Sequence, residues 1–161
     1  MLRRLAAPSR GMCAVPSSFL AKAAAAKDAS VLLGRFPSGG RFDSVLADAG
    51  FETTAIGNDG AVCALTVTEP LTNNYKTLHG GAIALLVDVV GTLALLGRDP
   101  TRPGVSVEMN QSFCAAAKEG EQLLITGKVL RYGKKLGFTE VAIRTDADRL
   151  IAVGRHTKFF A

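Results

Sequence analysis

The segment Leu78-His79-Gly80-Gly81 opens an apolar run, 82–96, whose one charged residue is Asp88. A helix that begins on two glycines bares backbone N–H groups at its mouth. Together with the helix dipole, those donors can hold the oxyanion of an acyl transfer. A carboxylate carried into an apolar interior, with no cation near it in sequence, suits work as a base or a nucleophile. The gap from His79 to Asp88 is nine helical steps, which turn the helix by about 180° and climb about 13 Å. The mouth and the carboxylate therefore point apart, and one carbonyl cannot touch both within a single chain. A site using both combines the mouth of one copy with Asp88 of another, and an isologous dimer is the simplest such arrangement.

These groups need elements to carry them. The pattern predicts a short amphipathic helix over 42–49, stopped by Gly50, and a strand hairpin over 51–56 and 61–67 around Asn58-Asp59-Gly60. A loop over 70–77 leads to the long helix, 79–96, which is apolar on every side and must be covered all round. Four strands follow, 104–114, 122–131, 136–145 and 150–160, read as a meander. In the first of them Ser106, Glu108 and Asn110 alternate with Val105, Val107 and Met109, so each set is expected to share one face. Strand pair, apolar helix and four strands define an α+β fold: an antiparallel sheet curled around a central helix.

Charge divides the chain. Residues 1–41 hold seven basic residues and one acid, a net +6; residues 42–161 hold twelve basic and thirteen acidic residues, a net −1. The near-neutral remainder argues against nucleic-acid binding. The Arg-, Ala- and Ser-rich leader has the composition of a mitochondrial presequence, so 1–41 is expected to target the mitochondrial matrix, with the cytoplasm as the alternative. Cys13, Cys63 and Cys114 are scattered, without C-x-x-C, which fits a reducing compartment with no zinc site or disulfide framework. The apolar run of about 15 residues is short of the roughly 20 that cross a bilayer.

The series Asn73, His79-Gly80-Gly81 and Asp88, then Pro103-Gly104-Val105-Ser106-Val107-Glu108-Met109-Asn110, resembles the hotdog-fold acyl-CoA thioesterases of the phenylacetate-pathway and thioesterase-superfamily-member type. The C-terminal Gly154-Arg155-His156-Thr157-Lys158 is similar to that of their eukaryotic mitochondrial members. The resemblance covers 42–161 and rests on several motifs in order. It implies a hotdog fold, a homodimer that often pairs into a homotetramer, and hydrolysis of an acyl-CoA in fatty acid metabolism. The acyl group it suggests is a medium-to-long fatty chain, with an aryl group left open. No metal and no separate cofactor is implied, since CoA is part of the substrate. By the same resemblance Asp88 is the catalytic carboxylate, and Gly80 and Gly81 supply the amides that polarise the thioester. Asn73 and His79 stand beside the thioester, and Ser106 helps position water. The CoA moiety is assigned to Ser106, Glu108, Arg131, Tyr132, Gly133, Lys134, Lys135, Leu136 and Lys158.

Each residue also has an ordinary structural reading. Asp88 can be a hydrogen-bonded core acid, His79 a helix cap, His156 a packing residue, and Cys63 and Cys114 buried thiols. The hairpin tip Tyr132-Gly133-Lys134-Lys135 can be a solvated turn, although a basic rim formed with Arg131, Arg155 and Lys158 would suit the phosphates of CoA. An acyl chain would run between helix and sheet along Leu85, Leu86, Val89 and Phe113. A non-catalytic acyl-CoA-binding module and a hotdog dehydratase are the competing functions, separated from hydrolysis by CoA release and by enoyl-CoA hydration.

Overall fold

The computed structural model describes residues 42–161; the expected presequence at 1–41 lies outside the described residues. The chain runs through α1 (Ser44–Asp48), β1 (Glu52–Gly57), β2 (Gly60–Thr66), a 3₁₀ turn (Glu69–Leu71), α2 (Gly80–Leu96), β3 (Val105–Phe113), β4 (Gln122–Tyr132), β5 (Leu136–Thr145) and β6 (Leu150–Phe159). The α+β expectation of an antiparallel sheet around one long helix is met. Among the described residues no helix is long and apolar enough to cross a membrane.

Helix α2 forms because tertiary burial outweighs its unfavourable β-branched residues. Leu86, Val87, Val90, Leu93, Ala94 and Leu95 are all essentially inaccessible. Removing a side chain such as Leu93 from water contributes roughly 1.5–3 kcal/mol. The sheet lies very close to this helix. A Cβ added to Gly127 of β4 would stand 2.8 Å from the Val90 carbonyl oxygen and 2.9 Å from its Cγ1. A Cβ on Gly154 of β6 would stand 2.9 Å from both methyl groups of Val87.

The strand order is β1-β2-β4-β5-β6-β3, all neighbours antiparallel. This corrects the four-strand meander. Only β4, β5 and β6 follow one another; β3 lies beyond β6 at the edge, and its link to β4 crosses under the helix mouth. There the Leu78 N–H donates to the Ala117 carbonyl at 2.7 Å, and Thr77 pairs with Lys118. Register breaks in four of the five strand pairs help the sheet curl around α2.

One break reverses an expected face. Ser106 pairs with Lys158 but Glu108 pairs with Thr157, so Val107 is an extra residue. Ser106 therefore faces α2 with Lys158, whereas Glu108 turns to the outer face. There it accepts from Thr157 Oγ1 at 3.3 Å and from Asn110 Nδ2 at 2.8 Å. Plain alternation put Ser106 and Glu108 together; the bulge separates them.

Gly127→Ala sets a methyl group against helix backbone that cannot rotate away. It is expected to lower unfolding free energy by about 1–3 kcal/mol, read from urea denaturation.

Candidate active site

The mouth of α2 is built by the loop before it. The His79 N–H donates to the Leu71 carbonyl at 2.8 Å. His79 then caps the helix, its Nδ1 accepting the Gly81 N–H at 2.8 Å. This corrects the paired-amide reading: the Gly81 donor already has an acceptor in its own chain. The Gly80 N–H, at the first helical position, has no intrahelical acceptor. Beside it, Asn73 Oδ1 accepts from the Tyr75 N–H at 2.9 Å, the Thr77 N–H at 3.3 Å and Thr77 Oγ1 at 3.1 Å. Those three bonds fix the amide plane and leave its NH₂ to donate elsewhere. Asn73, Gly80, Ile83, Phe113 and Cys114 line one shallow cavity. Cys114 is thus exposed and not a buried thiol; Cys63 is buried, and burial pushes its thiol up to about 12. Of the four residues expected along the acyl chain, only Phe113 lines this cavity, while Leu85, Leu86 and Val89 are in the core.

Asp88 stands apart from the mouth cavity, as the helical spacing requires. One expectation about it changes. Its side chain is 44% exposed, so the carboxylate sits at the rim of the helix–sheet layer and not deep inside. It also has polar partners brought from the strands. Ser106 Oγ donates to Asp88 Oδ1 at 3.2 Å, His156 Nε2 lies 3.3 Å from the same oxygen, and Nε2 and Ser106 Oγ are 2.8 Å apart. His156 is fully buried, and its Nδ1 has no partner. A carboxylate only accepts, so with the one Ser106 hydrogen on Asp88, the Ser106 oxygen takes its hydrogen bond from His156 Nε2. Hydrogen bonds then run in one direction, from His156 to Ser106 to Asp88. Burial pushes His156 below its ordinary range against the pull of the Asp88 carboxylate, with Lys158 adding to the lowering.

His156 is the site residue that sequence reasoning undervalued. Its partners are 50 and 68 positions away: the pairing of β6 with β3 brings Ser106 to it, and the packing of β6 on α2 brings Asp88. Lys158 is a further correction. It is 6% exposed, with its Nζ donating to Thr92 Oγ1 at 2.8 Å, so it belongs to the interior and not to a CoA rim. Arg155, at 3.5 Å from Glu140, is engaged on the outer face.

The hairpin tip gains cations that sequence spacing did not point to. The Arg102 guanidinium lies 4.5 Å from the Phe160 ring centroid and 5.8 Å from that of Tyr132, and donates to the Lys134 carbonyl. Arg98 also lies 5.8 Å from the Tyr132 centroid. The loop after α2 thereby brings Arg98 and Arg102 to the tip that bears Arg131, Lys134 and Lys135. Among the described residues no cluster of His, Cys, Asp and Glu could hold a metal ion.

A curled antiparallel sheet on one buried helix, with a half-exposed carboxylate at its edge and a glycine mouth at its end, is the hotdog architecture. Residues 75–152 match the thioesterase superfamily, and the chain belongs to that superfamily. It is 45% identical to human acyl-coenzyme A thioesterase 13 over 118 residues, 73% of this chain and 83% of the relative. The zebra fish thioesterase superfamily member 2 structure superposes with a TM-score of 0.73 at 42% identity, covering 77% of this chain and 89% of that one. The PaaI protein of the Escherichia coli phenylacetic acid degradation operon shares the fold, with a TM-score of 0.64 at 21% identity over 73% of this chain and 88% of its own.

Because the folded chain holds His156 below its free value of 6.5, the unfolded chain binds the extra proton first as pH falls. The stability from this group is complete above that value and is lost as pH drops through the folded titration. Urea midpoints are expected to fall between about pH 7.5 and about pH 5, with a smaller drop in His156→Gln.

Proposed function

We propose that the protein is a homodimeric acyl-CoA thioesterase whose two reaction centres each join the α2 mouth of one subunit to Asp88 of the other. The observation that carries this reading is the division of the site. A free Gly80 donor and the Asn73 NH₂ meet in one cavity, while the carboxylate held by Ser106 and His156 lies elsewhere on the same helix. The edge strand beside that carboxylate supports the dimer: β3 ends the sheet, and Val105, Val107, Met109 and Phe113 are exposed along it, Val107 by 56%. Such an apolar edge is a natural seat for a second copy. The names of the relatives support an acyl-CoA substrate.

In this reading the thioester oxygen accepts from the Gly80 N–H and Asn73 Nδ2 of one subunit. Charge develops on that oxygen as the carbonyl carbon becomes tetrahedral, and fixed donors stabilise it by about 3–4 kcal/mol each. The partner's Asp88, with Oδ1 held by Ser106, has Oδ2 to take a proton from water or to attack directly. CoA leaves as the thiolate. The phosphates of CoA would meet Arg131, Lys134 and Lys135, joined by Arg98 and Arg102, with Tyr132, Gly133, Leu136 and the outward Glu108 completing the rim. The apolar mouth formed with Ile83 and Phe113 supports a medium-to-long fatty acyl group. The leader composition supports a mitochondrial matrix location, and pairing of dimers into a tetramer is the proposed assembly.

CoA release across a chain-length series is the direct test, with the absence of turnover on every acyl-CoA pointing to a non-catalytic binder. Asp88→Asn is expected to lower kcat by about 100- to 10,000-fold with the oligomer intact in sedimentation; near wild-type turnover would remove Asp88 from the chemistry. Single turnover in ¹⁸O-water tests the second role, since label found in the Asp88 carboxylate requires direct attack followed by hydrolysis at the aspartyl carbon. Val107→Lys is expected to yield monomers in which hydrolysis is lost although neither half-site has been altered.

A further inference from the structure

Lys158 is a buried cation with no part in the chemistry so far. It lies on β6, two residues beyond His156, and its Nζ donates to Thr92 Oγ1 at 2.8 Å. Thr92 is one turn beyond Asp88 on α2, and its hydroxyl donates to the Asp88 carbonyl oxygen, also at 2.8 Å. A hydroxyl has a single hydrogen; with that hydrogen on the carbonyl, its oxygen must accept from Lys158. The lysine is therefore fastened to the turn of helix that carries the carboxylate.

We propose that Lys158 is a positioning residue of the active site, whose buried ammonium, strapped through Thr92 to the Asp88 turn, fixes the direction of the His156–Ser106–Asp88 hydrogen-bond chain. This rests on the reading of Asp88 as the reacting carboxylate. A histidine 3.3 Å from a carboxylate ordinarily takes up a proton and becomes its counter-ion. Here that outcome would neutralise Asp88 and disable it as base or nucleophile. It would also put a hydrogen on His156 Nδ1, which is packed against the helix where Gly91 has no side chain; a Cβ there would stand 2.9 Å from it. A second positive charge on the same face opposes the protonation.

The groups around Lys158 leave it this task. Helix α2 presents Asp88 and Thr92, and β6 itself presents His156. From β3 come Ser106, directly opposite, and Glu108, which turns outward and still attracts a proton to His156. From β5 the residue opposite is Gly137, with Thr139 beyond it, while Glu140 faces Arg155 on the other side. Burial lowers Lys158 from its usual range and the Asp88 carboxylate raises it. The ammonium is thus compensated by the carboxylate whose partner it controls.

The test uses the full-length protein and follows His156 by ¹⁵N NMR. In the wild type at neutral pH, the ring is expected as the neutral tautomer with hydrogen on Nε2; an imidazolium there overturns the proposal without any variant. In Lys158→Met the His156 midpoint is expected to rise by about one pH unit, and in Lys158→Arg to stay near the wild type. The acid limb of kcat/KM for an acyl-CoA should move with it, while KM changes by less than about threefold. A folded Lys158→Met protein with an unmoved midpoint overturns the proposal, because a merely structural lysine would cost stability and nothing else. If Lys158→Met does not fold, Thr92→Val is read in its place: it cuts the strap and keeps the charge, so kcat should fall while the His156 midpoint holds, and unchanged kcat overturns the proposal. Absence of wild-type turnover defeats the thioesterase reading alone, since the NMR result stands apart from activity.

Discussion

A helix that is apolar on every side cannot rest on a flat sheet, and the architecture follows from that constraint. With Leu86, Val87, Val90, Leu93 and Leu95 all hidden, α2 must be wrapped. The sheet wraps it by curling, through register breaks, and by approaching it closely at Gly127 and Gly154. A helix so enclosed has few places where a polar side chain can emerge. Asp88 emerges on the side of β6 and β3, with Thr92 buried one turn beyond it, and the glycine mouth emerges at the end. The separation of the glycine mouth from the carboxylate is therefore a property of the core itself.

The polar groups on that side are organised by what each can donate. Asp88 only accepts, Lys158 only donates, and Ser106 and Thr92 each pass on one hydrogen. Every hydrogen bond recorded between them leads toward the Asp88 residue, by way of Ser106 to its carboxylate and by way of Thr92 to its carbonyl. His156, with a bare Nδ1 against the helix, has a single orientation left to it. Rigidity here comes from counting hydrogens on a crowded surface as much as from packing.

Much of this was legible in the chain. The helix, all six strands within about a residue or two, and the wide separation of mouth from carboxylate followed from period, turn residues and helical geometry. Two things were hidden. Strand order cannot be read from alternation, so the move of β3 to the edge beside β6 was missed, and with it the meeting of Ser106, His156 and Asp88. The extra residue Val107 leaves the alternating pattern intact on paper while turning Glu108 away from Ser106. Lys158 showed the same weakness: its position on β6 was right, but the face it presents depends on which side the helix lies. Gly81 looked like a second free donor because the cap made by His79 is a matter of side-chain rotamer, which spacing does not encode.

The bulge at Val107 also bears on how the open margin of the sheet avoids strangers. A straight, unprotected strand invites any extended peptide to lie along it, the first step toward disordered aggregation. With one residue too many, β3 presents an interrupted row of amides and carbonyls, so an ordinary strand can match one half of it but not both. The irregularity that turns Glu108 outward thus also makes the open margin a poor template for a foreign polypeptide.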